Sequence, residues 1–224
     1  KKIHLVDLNY STTNLFPTII HQFDVNDFDE IKDDLIKYAY ILKHNDKGHV
    51  ISNRGGWQSN SFPIENEDDI LQSFIAKCLG KFPTIQQAID LNVDAWININ
   101  PPGAFNVKHN HPASDLAGVL WIKCPENCGD ILFDAPNDFQ SFNEIESYDD
   151  KFKNENNFYH SYYFPPIEGR ILVFPAWLEH LVKENESLSD RISVSFNIRL
   201  NRSKEYYEYY RLFKIAEDNA KNTV

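Results

Sequence analysis

The spacing of hydrophobic residues predicts helices in the first part of the chain. Between residues 26 and 42, apolar side chains recur every three or four positions, which places them on one helical face. These side chains are Phe28, Ile31, Leu35, Tyr38 and Leu42. Asn26 precedes them and is the predicted N-cap, with Asp27 and Asp29 favourable in the first turn. The apolar face predicts packing against a core.

A second helix is predicted over about residues 66–79. Its apolar face contains Ile70, Leu71, Phe74, Ile75 and Cys78. Gly80 follows the last of these positions, where a glycine commonly ends a helix. A third, shorter helix is expected over residues 84–91. A short opening strand is expected over residues 16–20.

From Val93 the hydrophobic period changes to two, which predicts β-strands. Pro101, Pro102 and Gly103 end the first of these strands. Further strands are predicted at residues 104–111, 118–123, 130–133, 158–164, 170–174 and 191–200. In the last strand, polar residues lie on one face and hydrophobic residues on the other.

This order of elements predicts a mainly β fold with flanking helices. About seven or eight short strands separated by turns favour a sandwich or rolled barrel. The 224 residues suit a single domain. It would consist of helical support over about residues 1–91, a β core over about 93–200 and a C-terminal helix over about 203–219. The polar, acidic segment 137–157 is the kind of insertion that usually forms a lid, a binding loop or a mobile excursion.

Composition and charge exclude several classes of protein. The chain is 42% hydrophobic and 14% aromatic, which is typical of a globular protein, and its formal net charge is −11. A chain this acidic lacks the overall positive charge that binds nucleic acid. No apolar run is long enough to cross a membrane. Residues 1–5 are not followed by an apolar segment and a cleavage site, so no signal peptide is expected.

Cysteine usage favours a reducing, cytoplasmic environment. Three cysteines, Cys78, Cys124 and Cys128, do not suggest a disulfide framework. Cys124 and Cys128 have the spacing of half a zinc site, but the other half is missing. We therefore interpret them as two unrelated thiols in a tight turn.

Three histidines form a candidate metal site. His109 and His111 are separated by one residue near the end of a strand, so their imidazoles point to the same side. His180 comes from a distant strand that leaves the sheet after Pro175 and Trp177. Three imidazoles near one barrel mouth suit a divalent metal such as iron, cobalt, nickel or zinc. Any single histidine is more often an ordinary core or surface residue, and the other five are interpreted in that way.

Arg191 and Ser193 form a candidate anion site beside the histidines. An arginine on the inward face of a strand must be paired, because an isolated charge in a low dielectric is very costly. Its planar fork matches a carboxylate, and the Ser193 hydroxyl can add a donor. A bound dicarboxylate would satisfy both residues. The alternative is an internal salt bridge to one of the chain's many acidic residues.

Further polar and aromatic residues are expected to border this site. By strand parity or position they are Asn98, Asn100, Asn106 and Trp121. The side-chain amides of the three asparagines could bind a co-substrate or substrate. Alternatively, they could have structural roles in the β-ladder or in turns. The Gly-rich loop at residues 52–59 either borders the pocket or is a connector.

The order of these segments resembles the 2-oxoglutarate- and Fe(II)-dependent oxygenase superfamily, in particular an oxygenase branch found in marine bacteria and phages. The segments are H-N-H-P-x-S-x-L-x-G-V from His109, G-D-I-L-F-D from Gly129, E-G-R-I-L-V-F-P-A-W-L-E-H from Glu168 and R-I-S-V-S-F-N from Arg191. Upstream, G-G-W-Q-S and W-x-N are similar to that branch as well. The resemblance covers about residues 52–200, and the order and spacing of its motifs are more specific than any one of them.

The resemblance implies a double-stranded β-helix and a defined chemistry. It implies that His109, His111 and His180 bind Fe(II), and that 2-oxoglutarate chelates the iron through its keto acid end. The far carboxylate of 2-oxoglutarate would meet Arg191, helped by Ser193, with Asn98 and Trp121 near the co-substrate. Dioxygen would take the remaining position, the co-substrate would be decarboxylated to succinate, and a hydrogen would be removed from the substrate.

One residue departs from the pattern of the superfamily. Its usual first motif is His-x-Asp or His-x-Glu, and here His111 takes the acidic place. Three histidines would leave the metal centre one charge more positive than the carboxylate version. Asp115 could instead supply an oxygen ligand if its loop folds back, although we favour the three histidines.

The sequence therefore predicts an Fe(II)- and 2-oxoglutarate-dependent dioxygenase, most simply a hydroxylase. One alternative is a cupin-like metal enzyme that does not use 2-oxoglutarate. Another is a metal-stabilised β-barrel binding protein without turnover. Besides dioxygen, the expected partner is a small-molecule or peptide substrate, with no nucleic acid or membrane and with homodimerisation possible. The acidic insertion hints at a neutral or cationic target such as a peptide or free amino acid.

Overall fold

A computed structural model of the protein describes residues 11, 13–14, 17–82, 90–136 and 147–201. The helices in these ranges are α1 (Asp29–Asn45), α2 (Ile70–Leu79) and α3 (Asp150–Asn156). The strands are β1 (His21–Asp24), β2 (Asn53–Arg54), β3 (Trp57–Gln58), β4 (Phe62–Pro63), β5 (Asp90–Asn100), β6 (Phe105–His109), β7 (Leu116–Lys123), β8 (Ile131–Asp134), β9 (Ser161–Phe164), β10 (Arg170–Pro175), β11 (His180–Val182) and β12 (Arg191–Asn201).

The strands form two antiparallel sheets. The seven-stranded sheet has the order β1-β10-β7-β12-β5-β3, and β4 also pairs with β5. The five-stranded sheet has the order β2-β6-β11-β8-β9. The longest pairing joins β12 to β5 from Arg191 opposite Asn100 to Asn201 opposite Asp90. The predicted mainly β architecture with flanking helices is confirmed, with more strands than expected in the described ranges.

Hydrophobic residues lie on both faces of the seven-stranded sheet. One face packs against α1 and α2 through residues that include Leu35, Ile75 and the alternating Ile192, Val194 and Phe196 of β12. The opposite face carries a smaller apolar cluster together with residues of the five-stranded sheet. Its members are Ala117, Val119, Trp121, Ile131, Phe133, Leu172, Phe174 and Leu178. The polar face of β12 points to this second side, so the candidate site lies between the two sheets.

The helix starts differ from the sequence prediction. Phe28 precedes α1 without a side-chain cap, so Asn26 is not its N-cap. Asp27 has a φ of 58°, a left-handed conformation that separates Asn26 from the helix. For α2 the cap is Asp69, whose carboxylate accepts hydrogen bonds from the backbone N–H groups of Leu71 and Gln72. The predicted start at residue 66 was therefore too early.

Two predicted elements near the edges of the fold need correction. Residues 17–20 are not in a strand, and β1 begins only at His21; Phe16 lies outside the described residues. The third helix was predicted over residues 84–91, but Asp90 and Leu91 belong to β5. Residues 84–89 and the predicted C-terminal helix at 203–219 lie outside the described residues. The single-domain division stays a prediction.

No helix in the described ranges has the length and apolar character needed to span a bilayer.

Candidate metal centre

Three histidine side chains converge between the sheets. His109 ends β6, His180 begins β11, and the two are directly opposite each other in the ladder. His111 follows β6, and its backbone N–H donates to the carbonyl of Ala176 in the turn after β10. One ring nitrogen from each histidine lies within 4.8 Å of those of the other two. The arrangement brings together all three predicted ligands and can hold a metal ion.

Hydrogen bonds orient two of the three rings. His109 Nδ1 lies 2.7 Å from the carbonyl oxygen of Val107, and His180 Nδ1 lies 3.0 Å from that of Leu178. A ring nitrogen facing a carbonyl carries the proton, which leaves Nε2 with a lone pair for a metal. The Nε2 atoms of His111 and His180 lie 3.3 Å apart. The ring nitrogens available to a metal therefore lie around a common point.

The surroundings keep these imidazoles neutral. Burial lowers the pKa of His109. Burial, followed by the nearby His109, lowers the pKa of His111 to about 4 and that of His180 to about 3. A metal binds neutral imidazole, so this electrostatic environment favours ligation.

Asp115, the rival ligand, has other contacts. Its carboxylate accepts a 2.7 Å hydrogen bond from the backbone N–H of Leu200. Its backbone N–H donates to the carbonyl of Ile198, and its backbone carbonyl accepts from the N–H of Ala176. It is not part of the cluster of possible metal ligands. Asp115 therefore hydrogen-bonds the loop before β7 to the end of β12.

Arg191 is a buried cation held by backbone oxygens. It is 2% exposed, and its Nη1 donates to the carbonyls of Cys128, Gly129 (3.2 Å) and Lys183 (3.3 Å). No described carboxylate pairs with it, so the expected alternative of an internal salt bridge is not found in the described ranges. A fixed guanidinium without a counter-charge can bind an anion.

One cavity contains both the histidines and Arg191. Counted together with the open solvent at its mouth, the space inside it is about 540 Å³. Cross-strand pairs of β5 and β12 form its wall in rows: Asn100 with Arg191, Asn98 with Ser193, and Trp96 with Ser195. Asn106 and Trp121 line it too, so the structure brings together every residue predicted for this pocket.

Several cavity residues were not singled out from the sequence. The ring of Trp96 stacks on that of His111, with centroids 5.9 Å apart. Ser195 accepts a 3.0 Å hydrogen bond from Asn98 Nδ2, while Asn98 Oδ1 is buried without a partner in the described structure. Ser52, from the Gly-rich loop, accepts from Asn106 Nδ2 and lines the cavity. Strand parity shared with Asn98 was the signal available for Trp96. For Ser52 the signal was its place in the Gly-rich loop at residues 52–59, for which a pocket border and a connector were both left open.

Cys124 and Cys128 lie beside Arg191 rather than in a zinc site. The two thiols hydrogen-bond each other, which raises the pKa of Cys124, while Cys124 and Arg191 lower that of Cys128. The thiols are therefore neighbours, not unrelated. Within the described residues, neither thiol belongs to a group that could hold a metal ion.

The comparisons with known proteins agree with this geometry. Residues 94–197 match the family described as "Putative 2OG-Fe(II) oxygenase". This segment begins within β5 and ends within β12, and it includes all three histidines and Arg191. No curated protein has a sequence that matches the chain.

Solved structures share the fold at low sequence identity. A Pseudomonas putida prolyl-4-hydroxylase has a TM-score of 0.57 and 12% identity, covering 83% of this chain and 94% of its own. HygX from Streptomyces hygroscopicus, with nickel, 2-oxoglutarate and hygromycin B bound, has a TM-score of 0.55 and 8% identity, covering 81% and 83%. A Trichoplax adhaerens prolyl hydroxylase, in complex with a hypoxia inducible factor peptide fragment, has a TM-score of 0.51 and 13% identity, covering 81% and 83%.

The core is the expected double-stranded β-helix of the jelly-roll type. The family match over residues 94–197 and the histidine cluster support an oxidoreductase that uses Fe(II) and 2-oxoglutarate, and its substrate is unidentified.

Proposed function

We propose that this protein hydroxylates a peptide or amino acid substrate, with 2-oxoglutarate converted to succinate. One observation carries the proposal: a buried guanidinium without a carboxylate partner among the described residues shares a cavity with three convergent imidazoles. A keto diacid has a metal-chelating end and a distal carboxylate, so it matches both parts of that cavity. We also propose that the protein falls in the branch found in marine bacteria and phages, on the motifs quoted above.

His109, His111 and His180 are the proposed iron ligands. Their neutral state and the orientation of His109 and His180 support this role. When bound, the metal supplies open coordination positions for the co-substrate and dioxygen. The protein's part is to present three lone pairs from one side and to leave the opposite side open to the cavity. Because no ligand is anionic, the centre keeps one more positive charge than a site with a carboxylate ligand.

Arg191 and Ser193 are the proposed partners of the distal carboxylate of 2-oxoglutarate. They lie on the same face of β12, and the carbonyls that hold Arg191 Nη1 fix the position of its charge. Asn98, opposite Ser193, has a buried Oδ1 without a partner in the described structure and would contact the co-substrate between its two ends. Trp121, also opposite Ser193 but on β7, would cover the co-substrate from the side.

The proposed substrate class follows from two similar structures and from the lining of the cavity. Two similar structures are prolyl hydroxylases, and one of them holds a peptide fragment. Besides the histidines, Arg191 is the one ionisable residue among those that line the cavity in the described ranges. An uncharged part of the substrate, such as an amino acid side chain or a peptide group, would therefore fit beside the metal.

Anaerobic titration tests the proposal without the substrate. Fe(II) and 2-oxoglutarate together should produce a visible charge-transfer band that neither produces alone. Arg191→Ala should weaken 2-oxoglutarate binding by at least about tenfold, because a charge-assisted bidentate contact is lost. Arg199→Ala is the matched control, since Arg199 lies on the same face of β12 but is half-exposed and pairs with Asp94. It should behave like wild type.

The other outcomes separate the alternatives. Metal binding that does not respond to 2-oxoglutarate would favour a metal enzyme of cupin-like type. Binding of both without consumption of dioxygen or 2-oxoglutarate under air would favour a binding protein. Equal effects of the two arginine substitutions would remove Arg191 from the co-substrate site.

A further inference from the structure

The three histidines are not oriented in the same way. In His109 and His180, Nδ1 faces the backbone carbonyl of the residue two positions earlier. The His111 ring has no backbone carbonyl partner within the described part of the chain. Its orientation must therefore come from side chains.

Two stacked rings restrict His111 but do not choose its protonated nitrogen. The His180 ring is nearly parallel to it, with centroids 5.2 Å apart and an interplanar angle of 3°. Trp96 stacks at 5.9 Å with an angle of 27°. Stacking defines only a plane. The 3.3 Å contact between the Nε2 atoms of His111 and His180 is given up when both lone pairs face a metal, so the choice between Nδ1–H and Nε2–H then needs another hydrogen-bond partner.

Asn197 has an unused acceptor at this place. It follows Ser193 and Ser195 on the cavity face of β12, and it lies opposite Asp94 on β5 and Ala117 on β7. Its Oδ1 is buried and lacks a hydrogen bond of regular geometry to any described residue. Asn197 is one row beyond Ser195, whose cross-strand partner Trp96 stacks on the His111 ring. In agreement with this position, an acceptor contact of the Asn197 side chain raises the pKa of His111 against the larger effect of burial.

We propose that Asn197 is a positioning residue for the metal centre, with Oδ1 accepting the Nδ1–H of His111 so that Nε2 presents its lone pair. The inference rests on the proposed iron ligands and extends them to a residue outside the ligand set. Asn197 would do for His111 what the carbonyls of Val107 and Leu178 do for the other two histidines.

The identity of residue 111 explains why such a partner is needed. A carboxylate in this place offers lone pairs on both oxygens and has no tautomer to select. An imidazole offers a lone pair on only one nitrogen at a time, so half of its neutral states cannot bind the metal. Outer hydrogen bonds of this kind typically change metal affinity by about 10–100-fold.

Metal binding measured on the full chain tests the proposal. The probe is Co(II), followed by its visible spectrum and by calorimetry, with no co-substrate present. Asn197→Leu should weaken Co(II) binding by about 10–100-fold and change the shape of the spectrum. Asn197→Asp keeps an acceptor oxygen and should restore both. Asn92→Leu is the matched control, because Asn92 is an exposed asparagine with the same strand parity on β5, and it should bind Co(II) like wild type.

Two results would overturn the proposal, and they differ from failure of the proposed function. If Asn197→Leu binds Co(II) with wild-type affinity and spectrum, Asn197 has no positioning role. If Asn197→Asp binds as weakly as Asn197→Leu while both metal-free variants unfold at the wild-type temperature, the acceptor oxygen is not what matters. If wild type itself does not bind Co(II), or binds it equally well after His180→Ala, the metal centre is wrong and Asn197 has nothing to position.

Discussion

Gly118 is a residue whose role is visible only in the packed structure. It lies opposite Phe196 on β12, and an added Cβ would come within 2.3 Å of the Phe196 ring and 2.8 Å of the Leu172 carbonyl oxygen. Gly118→Ala should therefore lower the free energy of unfolding by about 1–3 kcal/mol, because the ring and the strand must shift. Urea denaturation measures this difference.

Gly80→Ala is the control for that experiment. Gly80 ends α2 with a φ of −61°, a conformation that alanine adopts freely. Its added Cβ would meet the carbonyl oxygen of Ala76 at 3.3 Å and that of Lys77 at 3.6 Å. The expected change is within about 0.5 kcal/mol. Equal losses for the two substitutions would mean that crowding by Phe196 is not the cause.

The histidine cluster predicts how the metal-free protein responds to acid. Burial holds the pKa of His111 at about 4 and that of His180 at about 3, below the 6.5 of an unfolded histidine. As the pH falls from about 7 to about 5, the unfolded chain takes up protons that the folded protein does not, so the free energy of unfolding decreases. Chemical denaturation of the metal-free protein at a series of pH values measures this decrease in the free energy of unfolding. Replacing His180 with Gln should flatten the curve, and a curve that stays equally steep would contradict the assignment.

At the level of residues, the sequence predicted which side chains form the site better than it predicted their hydrogen-bond partners. The H-x-H spacing and the R-x-S spacing placed side chains on common strand faces, because that geometry follows from the period of a strand. The partners of Arg191 are backbone carbonyls of two separate turns. Contacts of that kind leave no mark in the sequence, and so an acidic partner was a reasonable alternative.

The cap of α2 is a point at which two helices are joined. Asp69 accepts from two backbone N–H groups of α2, and its other oxygen accepts a 2.8 Å hydrogen bond from the Tyr38 hydroxyl of α1. Asp69→Ala should lower the free energy of unfolding by about 1–2 kcal/mol, since two orphan N–H groups and one hydroxyl lose their acceptor. Thermal and urea unfolding measure the loss.

The cap of α3 provides the comparison. Asp149 accepts from the backbone N–H of Phe152, and α3 has no buried residues. Asp149→Ala should cost less than about 0.5 kcal/mol, because fraying of this helix exposes little apolar surface. If Asp149→Ala destabilises the protein as much as Asp69→Ala, the link to Tyr38 is not the source of the larger effect.

Long strands with a clear hydrophobic period were predicted from the sequence, and the two-residue strands were not. The alternation in β5 and β12 extends over many residues, so parity alone identified their core faces. Strands β2, β3 and β4 have two residues each, too few for any period to be visible. The opening strand was misplaced because a β-branched run after Pro17 resembles a strand, whereas pairing with β10 selects His21 to Asp24.

At the scale of the whole molecule, sheet order was beyond the reach of sequence spacing. β12 lies between β5 and β7, and β11 lies between β6 and β8. Such neighbours are distant along the chain, and no local pattern encodes them. The resemblance to a known superfamily supplied that topology, and the convergence of three histidines depends on it.

The two halves of the site belong to different sheets. His109 and His180 lie on β6 and β11 of the five-stranded sheet, while Arg191 and Ser193 lie on β12 of the seven-stranded sheet. A keto diacid bound to the metal at one end and to Arg191 at the other would link the two sheets. Metal and 2-oxoglutarate together should therefore raise the melting temperature by more than the sum of their separate effects. In Arg191→Ala this excess over the sum should disappear. A purely additive shift in wild type would mean that the bound ligand does not link the two sheets.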